Sequence, residues 1–101
     1  MANAFKNYKG LNITAETVVF TGPVDTETTV IGMTIANTGN TVAKASVKLD
    51  TAYLVKNIEI PVGSSAVIVG GNQKIVVMAG DEIKVDSDNT VDAVLSTLEI
   101  S

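Results

Sequence analysis

More than a third of this chain branches at Cβ: 36 of its 101 residues are Val, Ile or Thr, against five Leu and three Met. Two heavy atoms on Cβ stiffen χ1 and crowd a helix, but they pack well on a pleated surface. No segment keeps a 3.6-residue apolar period for ten residues, so the pattern restricts the chain to strands. Apolar residues make up 46% of the sequence, enough for a core, and the length suits one domain. Short runs separated by turn residues every ~8–12 positions predict an all-β, single-domain antiparallel β-sandwich, jelly-roll or Ig-like, with tight turns.

The runs are Phe5–Ile13, Thr17–Thr21, Thr28–Asn37, Thr41–Asp50, Tyr53–Ile60, Ala66–Val69, Lys74–Met78, Glu82–Asp86 and Val91–Ile100. Residues 1–10 are an edge strand or an arm, and residues 11–101 form the sandwich. Alternation puts Ile31, Met33 and Ile35 on one face of the third run, with Val30, Gly32, Thr34 and Ala36 opposite. In the fourth run Ala43, Ala45, Val47 and Leu49 face inward. Tyr53 and Val55 fall on the second face of the fifth. Gly70-Gly71-Asn72 between two apolar runs predicts a hairpin. In the last run the apolar phase shifts between Leu95 and Leu98, which predicts a bulge or burial on both faces.

Composition excludes whole classes of chemistry. There is no His and no Cys, hence no Ser-His-Asp triad, thiolate nucleophile, disulfide framework or ordinary zinc site. A net charge of −4 with no Arg argues against a nucleic-acid binder, which needs a basic face. Four aromatics (Phe5, Tyr8, Phe20 and Tyr53) are too few for a base-stacking or sugar-stacking platform. Neither a secretory h-region nor the ~20 apolar residues of a membrane helix is present. The expectation is a protein that is not an enzyme and takes no cofactor.

The acidic run Asp86-Ser87-Asp88-Asn89-Thr90-Val91-Asp92 is the one segment with the composition of a hard-cation loop. It lacks the glycine at the sixth position and has Thr97 where an EF-hand places its bidentate glutamate, so a solvated hairpin loop is the expectation and no metal site is assigned. Asp81, directly after Gly80, is read as a turn former bonding nearby backbone N–H groups. The Asn12-Ile13-Thr14 sequon has no signal segment to accompany it.

Charged residues are only 18% of the chain, below the ~25% usual for soluble domains. The second faces of the strands must therefore expose Val, Thr and Ala, and contiguous exposure of this kind marks association. Met1–Gly10 carries Lys6 and Lys9 and no acid, whereas Asp81–Asp92 holds five of the eleven acids. Phe5, Lys6, Tyr8, Lys9 and Tyr53 are the candidate interface residues, with Phe5 and Tyr8 either inserting into a partner or folding back on their own sandwich.

The order Phe5-Lys6-Asn7-Tyr8, Tyr53-Leu54-Val55-Lys56, Ile60-Pro61-Val62-Gly63-Ser64-Ser65, Lys74-Ile75-Val76-Val77, Ala79-Gly80-Asp81-Glu82-Ile83-Lys84-Val85 and Leu95-Ser96-Thr97-Leu98-Glu99-Ile100-Ser101 resembles small β-rich virion proteins of tailed, notably marine, bacteriophages. The resemblance implies a head decoration (cement) subunit on the outer capsid surface, made in the host cytoplasm and bound to the major capsid protein. It also implies a homo-oligomer, a trimer by analogy. A tail, neck or fibre-associated part is the alternative, and a glycan-binding adhesin module is the second.

Overall fold

The computed structural model describes residues 3–70 and 73–100. Met1 with its α-amino group, the Gly71-Asn72 part of the expected hairpin turn and Ser101 lie outside the described residues. Among the described residues the chain forms nine strands and no helix: β1 (Asn3–Ile13), β2 (Thr17–Thr21), β3 (Glu27–Asn37), β4 (Ala43–Leu49), β5 (Ala52–Ile60), β6 (Ser65–Val69), β7 (Ile75–Val77), β8 (Glu82–Ser87) and β9 (Val91–Ile100). The strands fall into two antiparallel sheets. The first has the order β1-β9-β3-β6, with β7 also on β3, and the second β2-β8-β4-β5.

The pairings are nested. β1 pairs β9, β2 pairs β8, β3 pairs β6 and β4 pairs β5, as in a long hairpin whose arms are wound together across two sheets. That is a jelly-roll sandwich, one of the two expected topologies. The inner faces meet in a core of Val30, Met33, Ile35, Ala43, Ala45, Val47, Ile83, Val85, Val91, Ala93 and Leu95. Burying one such aliphatic side chain is worth ~1.5–3 kcal/mol, so these strands hold each other firmly. β1 has a weaker claim on the core. Its fully buried side chain is Ile13, supported by half-buried Tyr8.

β3 differs from simple alternation. Its pairing passes from Val30 opposite Thr97 to Gly32 opposite Ser96, so Ile31 is an extra residue that β9 does not match. The bulge reverses the phase. Thr28 and Val30 face the core before it, and Met33, Ile35 and Asn37 after it. Val30, expected on the outer face, is therefore buried, and Ile31, expected inside, is half-exposed. The inserted residue is invisible to a period-two pattern.

Three other expectations need correction. β6 and β7 form no hairpin with each other; both run antiparallel to β3, β6 alongside Met33–Ala36 and β7 alongside Thr28–Val30. They are two halves of one edge, interrupted where β3 bulges. β9 keeps a single inward phase through Val91, Ala93, Leu95, Thr97 and Glu99, all buried. Two polar residues occupy core-facing positions there, which made the apolar phase look shifted. Val55 also faces the core, opposite Val47, because the β4–β5 register shifts beside it.

Turn chemistry follows expectation. Asp81 Oδ2 accepts the Met78 N–H at 3.1 Å, and the Asp81 N–H returns to Met78 O at 3.0 Å across Gly80, whose φ is +87°. Buried Asn37 pins the opposite end of the sandwich. Its Nδ2 donates to Thr41 O and Ile60 O, both at 2.8 Å, and its Oδ1 accepts the Gly39 N–H at 2.9 Å. Asn37→Ala takes a donor from the Ile60 carbonyl and the acceptor from the Gly39 N–H, while Thr41 O keeps the Asn89 amide at 2.8 Å; it is expected to cost about 2–3 kcal/mol, read as a lower urea midpoint at unchanged m-value.

Candidate association face

The two outer faces of the sandwich differ in charge. On the second sheet the outward side chains include Lys44 opposite Glu59, Asp86 opposite Ser46, and two lysines, Lys48 and Lys84, opposite each other, with Glu82 two residues before Lys84. Lys48 pairs with Glu16 at 2.5 Å and Lys84 with Glu82 at 3.7 Å. Such pairs keep a sheet face wetted.

The outer face of the first sheet is built from cross-strand rows. One row runs Phe5, Leu98, Thr29, Val76, and the row on the far side of Asn7 runs Lys9, Val94, Thr34, Val67. Between them lie Asn7, Ser96 and Gly32, with Ile31 beside them. Phe5 is 76% exposed, Val67 71% and Val76 59%. In these three rows the single charge is Lys9. Glu27 and Asp92 sit in the flanking rows at the two ends, opposite Ile100 and Ala36. A shallow depression of about 330 Å³ near the centre is lined by Phe5, Lys6, Asn7, Ile31, Ser96 and Thr97. Exposed apolar surface spread over five strands and almost free of charge fits association better than solvation.

The candidate residues divide among three settings. Phe5 and Lys9 lie on this face. Tyr8 and Lys6 project from the other side of β1 and converge on Glu99, which is buried on β9. Tyr8 Oη donates to Glu99 Oε2 at 2.5 Å, Thr97 Oγ1 donates to the same oxygen at 3.0 Å, and Lys6 Nζ lies 3.5 Å from Oε1. The Tyr8 ring packs on Phe20 with centroids 4.6 Å apart, so Tyr8 serves its own core. Burial raises the carboxyl pKa of Glu99, but the hydrogen bonds from Tyr8 and Thr97 and the Lys6 charge outweigh it and hold the group below the usual carboxylate range. Burial, the hydrogen bond to Glu99 and its negative charge push the Tyr8 hydroxyl up to about 12. Tyr53 stands on the second sheet, its ring between Lys48 and Lys56 with ammonium groups 5.5 and 5.2 Å from the centroid.

Val67, Val76, Val94 and Leu98 escaped the sequence reading. The signal was the out-of-phase residues of the last strand, Val94, Leu98 and Ile100, which mark a second apolar face. The acidic loop takes a structural part instead: Asp88 Oδ1 accepts the Lys44 N–H at 2.8 Å and Asp92 Oδ1 the Asn12 N–H at 2.9 Å. Among the described residues no three acidic groups converge as a metal site would require. The melting temperature is expected to be unchanged by EDTA, and a fall of many degrees would reinstate the loop as a cation site.

Fold and face together define a jelly-roll domain with one charged and one nearly uncharged outer surface. No protein-family model matches the chain, and no curated protein matches it in sequence. Among solved structures it is similar to a chain from the work described as "Bacillus endospore appendages form a novel family of disulfide-linked pili", at a TM-score of 0.56 and 13% identity, covering 99% of this chain and 87% of that one. At that identity the likeness is one of fold. The present chain has no cysteine, so it has no means of making disulfide links.

Proposed function

We propose that this chain is a non-catalytic structural subunit of a phage virion, a decoration protein that binds the outside of the head shell and reinforces it. The observation that carries the reading is the nearly charge-free outer face of the β1-β9-β3-β6 sheet on a domain whose other face is ionically wetted. A subunit that must stick on one side and stay soluble on the other needs that asymmetry. The resemblance to small virion proteins supplies the particle, and jelly rolls recur in viral capsids, an analogy of fold. Major capsid protein and further copies of the chain are the partners, with no nucleic acid, membrane or cofactor involved.

The likeness to a pilus subunit favours one alternative, a tail, neck or fibre part in which copies polymerise. A glycan-binding module is less well supported, since Tyr53 lies alone between two lysines. Quantitative mass spectrometry of purified particles separates these readings. Decoration predicts hundreds of copies, in fixed ratio to the shell protein. A handful moves the chain to the tail or neck, and absence from particles overturns the virion reading.

A further inference from the structure

We propose that the outer face of the first sheet binds the same face of a second copy about a two-fold axis that crosses the strands at the Ser96 row. This rests on the reading of that face as the association surface, though not on the virion. An isologous interface must be self-complementary: whatever residue i touches in the partner must touch residue i in return. The rows described above meet that condition. The Phe5 row and the Lys9 row lie equally far on either side of the Asn7–Ser96–Gly32 row, two residues or ~7 Å along the strands.

Rotation about this axis lays each Phe5 row over the partner's Lys9 row. Leu98 then meets Val94, Val76 meets Val67, and Thr29 meets Thr34. Apolar covers apolar and hydroxyl covers hydroxyl, at the ~10 Å spacing of packed sheets. Lys9, the one charge in the central rows, comes over the partner's Phe5 ring, where a cation is attracted to the ring face. Glu27 and Asp92 remain in the end rows, within reach of water. The other two-fold available to facing sheets, parallel to the strands, places Lys9 over Val67, where its ammonium gains neither a ring face nor a counter-charge, and sets the Thr29 and Thr34 hydroxyls against Leu98 and Val94. Charge thus selects the axis. The resulting contact closes with two copies, in contrast to the trimer that the resemblance implies.

Full-length protein is expected to sediment as a dimer, and Val94→Lys or Leu98→Glu alone to weaken dimerisation at least about tenfold. Each replaces an outward side chain, and a retained β circular-dichroism spectrum confirms folding. An equimolar mixture of the two variants is expected to recover the dimer, because the ammonium introduced at position 94 of one copy then faces the carboxylate introduced at position 98 of the other. Val76→Lys with Val67→Glu forms a second complementary pair, at the sheet edge. A wild-type protein monomeric at high concentration overturns the dimer, dimers insensitive to either variant overturn the face, and a mixture that stays monomeric overturns the axis. If the wild type is monomeric while Val94→Lys is excluded from particles that take up wild type, the association face stands and the two-fold falls. Particles that hold no copies sink the virion reading and leave the dimer standing.

Discussion

Gly22→Ala is expected to lower the melting temperature by about 12–24 °C, from a cost of about 3 kcal/mol. A Cβ at Gly22 would stand 2.1 Å from Met78 O and 3.0 Å from Met78 C. Both are backbone atoms, so no rotamer change relieves the overlap. Nor can the corner shift freely. The Gly22 N–H donates to Asp81 O at 2.8 Å, Gly22 O accepts the Gly80 N–H at 3.0 Å, and Met78 O is itself the acceptor of the Asp81 N–H. Moving either segment breaks bonds that a half-buried corner does not replace with water at no cost. Gly32→Ala is the control, because its nearest neighbour would be Val69 O at 3.9 Å, an ordinary contact. Thermal melts of the two variants that coincide would show that the corner yields.

Glu99→Ala is expected to destabilise the fold by about 2–4 kcal/mol, since it leaves the Tyr8 and Thr97 hydroxyls without their shared acceptor and Lys6 without its counter-ion. The pH dependence identifies the cause. The folded-state pKa of Glu99 is depressed, so its contribution is complete above the ordinary carboxylate range and is lost as pH falls through the folded value. Tyr8 has the opposite sign. Its pKa is raised from 10.0 to about 12, so the stability it contributes is complete below pH 10 and is lost as pH rises towards 12. Glu99→Gln keeps the shape and removes the charge. Its melting temperature is expected to fall below that of the wild type at neutral pH and to converge with it in acid. Tyr8 in this variant stays above 10 because burial, the largest cause of its shift, remains. Parallel melting curves across all pH values would overturn the assignment.

The sandwich was legible because alternation and turn residues are local. Ala43, Ala45 and Val47, or Ile83 and Val85, need no knowledge of their partners to be placed inside. What lay beyond reading depends on pairing. The extra residue at Ile31 exists only relative to β9, and without it Val30 falls on the wrong side. The apolar phase shift between Leu95 and Leu98 gives no sign that Thr97 and Glu99 face the core, and only the distant Tyr8 and Lys6 explain how a carboxylate can point inward. Phe5 and Tyr8, three residues apart on an extended strand, were grouped as one anchor although a period of two sends them to opposite faces. The low charge content announced an association surface, but its location required the β1-β9-β3-β6 order that brings Phe5, Leu98, Thr29 and Val76 into line.

The nesting of first strand with last also sets a schedule for folding. Tyr8 and Glu99, bonded in the native state, are 91 residues apart in sequence, and among the described residues β1 has its ladder with β9 alone. During synthesis at ~5–20 residues per second, β1 therefore waits several seconds as a finished strand with no mate, its Phe5 and Leu11 exposed. Closing so large a loop is slow, and an unmated strand in that interval can pair with the same strand of a neighbouring nascent chain. Lys6 and Lys9 bear on that interval. Two like charges with no acid among residues 3–13 repel another copy of the segment, until Glu99 arrives to neutralise the first of them.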